Sequence, residues 1–373
     1  MPTNTAAWIK AGHAPLDVGP APYTLPGRDQ IVVRNHAIAV NPLEWIIQVA
    51  GNLTYRWLSY PAVIGSDVAG EVAEVGSAVT RFRVGDRVLG HAVGTDKDSN
   101  SAAEGAFQLY TVVLERMAAP IPGTLAFEDA AVLPLAVSTT ACGLFQTDQL
   151  GLAHPSAKAA PTGQTLLVWG GSTSVGSNAI QLAVAAGYEV IATASPRNFG
   201  YVKALGASQV FDYNRPDVVA EIVAAFNGRT LAGAIAFGTT SAASCIRIAG
   251  ACQGNRFVSI ATPPVSFARL GEPGRGRFAV PRLIARLIGA NVALQFGSRR
   301  RGVRTKYIFG TTLKANEVST LIYRDFLPGA LAEDRYHAVP NPAVVGHSLH
   351  DIQHALDIQR KGVSAAKVVV TLD

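Results

Sequence analysis

Residues 166–194 read LLVWGGSTSVGSNAIQLAVAAGYEVIATA. An apolar run (166–169) leads into a glycine-rich turn (170–176). A helical pattern on Ile180, Leu182, Ala183 and Val184 follows, and a second apolar run (190–194) closes the stretch. Strand, tight turn, helix and strand in about 30 residues make the βαβ unit that holds a dinucleotide. The amides that open the helix at 174–177 then face a pyrophosphate. The spacing is Gly170-x-x-Thr173-x-x-Gly176, so the middle glycine of the usual fingerprint is replaced. Ser172, Thr173 and Ser174 offer hydroxyls to the phosphates beside the Val175 amide. The same residue types also serve as helix N-caps, and the two uses can coexist.

The end of the second strand selects the cofactor. An NAD site places Asp or Glu there, on the ribose 2′-hydroxyl. Here the end reads Thr193-Ala194-Ser195-Pro196-Arg197-Asn198, without an acid; Glu189 lies at the strand's beginning. Ser195 and Arg197 suit a 2′-phosphate, so NADPH is the expected cofactor.

The pattern around this unit sets the fold class. LLVWGG, EVIATA, QVFDY, AGAIAFG and RFVSIAT alternate with helical segments such as NFGYVKALG and DVVAEIVAAF. That alternation predicts an α/β chain with a doubly wound parallel sheet. The part before about residue 134 differs. QIVVRNHAIAV and IGSDVAGEVAEVGSAVTRFRVGDRVLG read as short strands punctuated by glycine, as in a folded-over barrel. The C-terminal stretch ends in KVVVTLD and is expected to return to that barrel. The predicted domains are 1–134 with 316–373, and 135–315.

Half of the 373 residues are hydrophobic and 16% are charged, enough apolar surface for a sizeable core. No apolar run reaches about 18 residues, so no membrane span is expected. The N-terminus lacks the features of a signal peptide. Cys142, Cys245 and Cys252 are read as reduced thiols of a cytoplasmic protein. The net charge of +6 is local. Residues 262–306 hold ten Lys or Arg and one acid, Glu272, whereas the rest carries 22 basic and 25 acidic residues. No helix-turn-helix, zinc finger or aromatic-basic signature accompanies this stretch, so no nucleic-acid partner is expected. It reads as a basic insertion: a surface loop with one short helix, PRLIARLIGA. Its charge also suits an acidic partner, with Arg299, Arg300 and Arg301 as the contacts.

Several stretches together resemble the medium-chain dehydrogenase/reductase superfamily. They are NPLEW (41–45), GSDVAGEVAEVGSAVTRFRVGDRV (65–88), GAFQLYTVV (105–113), LPLAVSTTACGLF (133–145), the glycine turn and YVKALGASQVFDY (201–213). The finer pattern, with GGSTSVG, ATASPRN, FLPGAL and KGVSAAKVVVTL, is similar to the fungal branch of zinc-independent trans-acting enoyl reductases and quinone-reductase-like proteins. The resemblance implies a GroES-like, mainly-β catalytic domain and a Rossmann domain, with the substrate cleft between them. It implies an acyl-carrier protein as the acidic partner of the basic stretch. It places Leu43, Glu44, Trp45 and Ile46 near the nicotinamide, and Gly170 and 172–175 at the pyrophosphate. Ser195, Pro196, Arg197 and Asn198 fall at the 2′-phosphate and ribose, with Tyr213 near the adenosine. Ile260 and Ala261 pass the nicotinamide, and Val344 and Val345 reach the cofactor from the C-terminal segment. Val137, Ser138, Thr139 and Thr140 line the substrate pocket, with Phe309 and Gly310 on its far wall.

Two departures from the family pattern matter. The family's zinc-binding histidine position is Ser66, and no cysteine precedes Cys142. A catalytic zinc needs three protein ligands, so no metal is expected; His347, His350 and His354 lack that context. Many enoyl reductases of this kind also carry a lysine where this chain has Ile46. The expected reaction is hydride transfer from NADPH to the activated C=C of a small-molecule or carrier-tethered enoyl or enone substrate of polyketide type. Thr139 or Thr140 would polarise the carbonyl, and Tyr55 or water would deliver the proton. A quinone or small-enone reductase is one alternative. An isomerase or cyclase without net redox, kept open by Ile46, is another.

Overall fold

The computed structural model describes residues 2–268, 270 and 278–372. The chain forms two compact units. Residues 2–135 and 314–372, with 267, 268 and 270, make the first; 136–266 and 278–313 make the second. The glycine-turn stretch lies in the second unit.

Six parallel strands form that unit's sheet. Their order is Gln209–Asp212, Glu189–Ala194, Gln164–Trp169, Thr230–Ala236, Phe257–Ile260 and Arg304–Tyr307. Numbered along the chain within the unit, this is 3-2-1-4-5-6, the doubly wound order whose direction reverses beside the first strand. The central strands are buried on both faces, so they read as continuous apolar runs rather than alternating ones. Leu167, Ile191, Ala234 and Val258 are fully buried there. The glycine turn follows the first strand and so lies at the switch point.

Two glycines are required by geometry. Gly170 adopts φ +89°, a left-handed conformation that a side chain resists. At Gly176 the helix Ser174–Ala185 approaches the turn so closely that a Cβ would collide with the Gly170 carbonyl oxygen.

The first unit is mainly β, as expected. A seven-stranded sheet runs Asn341–Gly346, Ala366–Thr371, Gln30–Val40, Asp67–Val75, Arg87–His91 and Ala118–Pro120, with Tyr110–Leu114 also paired to Gln30–Val40. All its pairings are antiparallel except that of Asn341–Gly346 with Ala366–Thr371. A smaller sheet joins Leu16–Ala21, Asn4–Ile9 and Ala62–Val63. The C-terminal strand therefore sits in the middle of a sheet begun near the N-terminus.

The basic stretch departs from its reading. Its part at 269 and 271–277 lies outside the described residues. Residues 268 and 270 belong to the first unit, where their carbonyls accept from the Arg360 guanidinium at 2.8 and 2.7 Å. The short helix expected at 281–290 is one helix of 22 residues, Ala279–Arg300. The apolar residues Leu283, Leu287 and Leu294 continue its inward stripe past Gly289. The helix closes only at Gly302, whose N–H donates to Arg299 while Val303 N–H reaches the Ser298 carbonyl, a Schellman closure. Among the described residues no helix is long and apolar enough to cross a membrane.

The crowding at Gly176 gives a test. Gly176→Ala should destabilise the protein by about 1–3 kcal/mol, the usual cost of overpacking, and weaken dinucleotide binding with it. Urea unfolding and cofactor titration measure both; a variant with unchanged midpoint and affinity would contradict the close approach.

Candidate active site

In the second unit, the turn's own hydrogen bonds decide which groups remain for a ligand. Thr173 caps the helix: its hydroxyl accepts from Gly176 N–H at 3.0 Å and donates to the Gly170 carbonyl at 2.8 Å. Ser177 donates to the Gly171 carbonyl at 3.1 Å. The Thr173 and Ser177 hydroxyls are thus committed within the turn. The Ser174 hydroxyl is buried with no partner, and the Ser174 and Val175 amides open the helix without intrahelical acceptors. A buried orphan hydroxyl beside free helix-opening amides fits a phosphate. Ser172 stays partly exposed at the same turn.

At the end of the second strand, Ser195 Oγ and Tyr213 Oη share a hydrogen bond of 2.8 Å. Arg197 and Pro196 are exposed beside them, while Asn198 is buried. Glu189 is engaged at the strand's opposite end, with Arg229 and with the Thr165 hydroxyl. An acid that the sequence reading did not weigh, Asp212, pairs in register with Ala194. Its carboxylate is turned onto its own loop, accepting from the backbone and side-chain N–H groups of Asn214 at 2.9 Å. Ile260 is buried in its strand, and Ala261 N–H donates to the Ala236 carbonyl at 3.1 Å.

Of the two threonines, only Thr139 remains available. Thr140 is fully buried and donates to the Val175 carbonyl at 3.0 Å, tying its helix to the one behind the glycine turn. Val137 and Ser138 are buried as well. Thr139 is partly exposed and packs against Gly310, where a Cβ would lie 2.8 Å from its hydroxyl oxygen. The next residue back, Phe309, is exposed. The fold thus brings Thr139 and the expected far wall, Phe309 and Gly310, to one place.

The first unit holds a cluster that sequence reasoning missed. Helix Pro42–Ala50 opens at Asn41, whose backbone N–H donates to Glu44 Oε2 at 2.6 Å. The Asn41 amide donates to Asp67 Oδ2 at 2.8 Å and accepts from the Lys367 ammonium. Lys367 Nζ lies 2.9 Å from Asp67 Oδ2, and Leu135 N–H donates to Asp67 Oδ1 at 2.6 Å. Glu44, Asp67 and Lys367 are all essentially inaccessible to solvent. Burial, and then the negative charge of Asp67, pushes the Glu44 carboxyl up to about 7. His91, across the sheet from Asp67, is pushed down to about 4 by burial. The only sequence signal was Lys367 itself, a charge inside an apolar strand.

This cluster fixes what its neighbours can do. Glu44 and Trp45 point into the core, with the Trp45 indole N–H buried and unpartnered. Only Leu43 and Ile46 of that stretch stay partly exposed. Tyr55 packs on Trp57 with ring centroids 5.1 Å apart. Burial and the charges of Glu44 and Asp96 raise its hydroxyl pKa above that of an ordinary tyrosine, making it a poorer acid. Val344 is exposed, and Val345 is the extra residue of a bulge in its strand. Among the described residues, no three His, Cys, Asp or Glu side chains are placed to hold a metal ion.

Residues 27–123 match the alcohol dehydrogenase GroES-like domain family, and 174–263 match the zinc-binding dehydrogenase family. The dehydrogenase pigH of Monascus ruber is 50% identical over the full length of both chains. The chain belongs to the medium-chain dehydrogenase/reductase superfamily, on its enoyl-reductase-like branch. The trans-enoyl reductase himH of Aspergillus japonicus is 37% identical, covering 99% of this chain and 97% of its own. The crystal structure of the CurK enoyl reductase, 17% identical, superimposes with a TM-score of 0.73 over 99% of both chains and supports the fold. Membership implies a nicotinamide nucleotide cofactor and a small-molecule substrate.

The Glu44 environment yields a pH prediction. The carboxyl titrates near 4.5 when unfolded and near 7 when folded. Between those values the folded state keeps a proton that the unfolded chain has lost, so this group's contribution to stability falls as pH rises. Glu44→Gln keeps an acceptor for Asn41 N–H and removes that loss. Its stability relative to the native protein should rise by up to about 3 kcal/mol between about pH 5 and pH 7.5. His91 titrates in the opposite sense but in both proteins, so its effect cancels in the difference. Urea unfolding at several pH values measures this, and a pH-independent difference would refute it.

Proposed function

We propose that the protein is an NADPH-dependent, zinc-independent enoyl reductase acting on the activated C=C of a polyketide-type or other secondary-metabolite intermediate. The observation that carries the reading is the acid-free strand end with Ser195, Tyr213 and Arg197, next to a turn holding the orphan Ser174 hydroxyl. The full-length relative named as a trans-enoyl reductase supports the reaction class.

NADPH, when bound, supplies the hydride for the β-carbon of the alkene. The residues of this chain bind and position it: the Ser174 hydroxyl and the 174 and 175 amides on the pyrophosphate, and Ser195 and Arg197 on the 2′-phosphate. Asp212, at the neighbouring strand's end, has its carboxylate turned onto Asn214. Negative charge then develops on the substrate carbonyl oxygen and needs hydrogen-bond donors. Thr139 is assigned that role, because the Thr140 hydroxyl is already spent on Val175. The α-carbon takes its proton from Tyr55 or from water; the raised pKa of Tyr55 still leaves it a stronger acid than water. Ile46 provides no ammonium for either purpose, and the cofactor carries the hard step.

Zinc chemistry is no part of this reading. The family's zinc-binding histidine position is Ser66, and the neighbouring Asp67 carboxylate already holds the Lys367 ammonium. The arrangement does not fit the three-ligand site a catalytic zinc requires.

NADPH absorbance followed with an enoyl thioester tests the reaction. Net consumption is expected; product without consumption would point to an isomerase or cyclase instead. Arg197→Ala should weaken NADPH binding by about 1–3 kcal/mol, the scale of a charge-assisted hydrogen bond, and leave NADH nearly unchanged. Equal affinity of the native protein for both cofactors would overturn the NADPH assignment.

A further inference from the structure

The helix Ala279–Arg300 is only half used by its own unit. It packs against helix Ser241–Ala251 and strand Arg304–Tyr307, and Tyr307 Oη donates to Asn291 Oδ1 at 2.8 Å. Leu283, Leu287 and Leu294 are the partly buried stripe of this contact. A second apolar set, Val280, Ile284, Ile288, Val292 and Phe296, repeats every four residues and is exposed, Val292 and Phe296 to 63% and 67%. Water-facing helix positions are normally polar, and a contiguous exposed apolar patch marks an interaction site. From 278 to 304 the chain carries six arginines, at 282, 286, 299, 300, 301 and 304, and no acid.

Geometry and charge identify the occupant. Residues four apart form a ridge inclined by about 26° to the helix axis. With 3.6 residues per turn, each step along it rotates about 40°, so the ridge winds around the helix. A flat bilayer touches one face of a helix and cannot follow that winding; the groove of a crossing helix can. A second copy of this chain would bring arginines against arginines. Charge complementarity therefore requires an acidic, helical partner.

We propose that Ala279–Arg300 is the docking helix for an acidic acyl-carrier domain. The apolar ridge seats in a groove between that domain's helices, and the arginines meet its carboxylates. That the partner is an acyl-carrier domain with a thioester-bound substrate rests on the enoyl reductase reading; that an acidic, helical partner docks on this ridge does not.

The test is a binding measurement on the full chain. Its three cysteines are buried, so Ala285→Cys provides one exposed thiol beside the ridge for an environment-sensitive fluorophore. Titration with a purified holo acyl-carrier domain should give a saturable signal. The double substitution Ile288→Ser and Val292→Ser should weaken it about tenfold or more, as expected for a central apolar anchor. Arg282→Ser with Arg286→Ser should weaken it too, and should reduce its dependence on salt. These positions are exposed, and unchanged circular dichroism and melting confirm that the variants fold. No response to the carrier domain, or equal affinity of all variants, overturns the proposal. A response only to vesicles of phosphatidylcholine and phosphatidylserine overturns it in favour of a membrane. A ridge-dependent dimer in sedimentation overturns it in favour of a second copy. Because binding needs no turnover, failure of docking leaves NADPH consumption with a small thioester intact, whereas failure of the enoyl reductase reading leaves the titration intact.

Discussion

The first unit is closed by one buried ion pair. Lys367, from the last strand, meets Asp67, from a strand three hundred residues earlier, at 2.9 Å and with no water access. Burying each ion costs several kcal/mol, and attraction repays this only where the remaining valences are filled. Here Asp67 also takes the Leu135 N–H and the Asn41 amide, and Lys367 also gives to Asn41. An ammonium in any other register would leave two charges buried and unpaired. The pair therefore fixes the register of the final strand in the first unit's sheet.

That closure explains why some parts of the fold were readable in advance and others were not. The first five strands of the parallel sheet announce themselves as continuous apolar runs, because helices cover both faces. The sixth, Arg304–Tyr307, reads RTKY, with alternate residues exposed at the sheet edge. It carries no apolar run and does not read as a strand. The length of helix Ala279–Arg300 was hidden by Gly289 and Gly297, which weaken a helix on propensity alone but are tolerated where the leucine stripe packs. The Asn41–Glu44–Asp67–Lys367 cluster was hidden for another reason. Each member sits in a stretch that reads correctly by itself, and their meeting is a fact of the fold.

The same distinction applies to the site. Residue types at the glycine turn and at 195–198 point to phosphate chemistry from sequence alone, because the relevant groups are local: a helix start and a strand end. Which hydroxyl remains free is a matter of hydrogen-bond accounting that only coordinates supply. Thr173 and Ser174 look equivalent in sequence, yet one is consumed by capping and the other is left buried without a partner. Thr139 and Thr140 are likewise adjacent in sequence and opposite in availability.

The ammonium of Lys367 also enters the charge balance of the first unit's core. A buried carboxylate needs a cation or a proton nearby. In this chain Asp67 has the ammonium, and Glu44, with a carboxyl raised to about 7, has the proton for much of the accessible pH range. Both charges are balanced by groups that arrive with the polypeptide. On the reading proposed above, the core of the first unit is then complete once the last strand is in place, and its electrostatic balance is set by folding alone. What the unit presents outward near that core is apolar, Leu43 and Ile46. Under the proposed function, binding and polarisation would fall to polar groups of the second unit, Ser174, Ser195, Arg197 and Thr139.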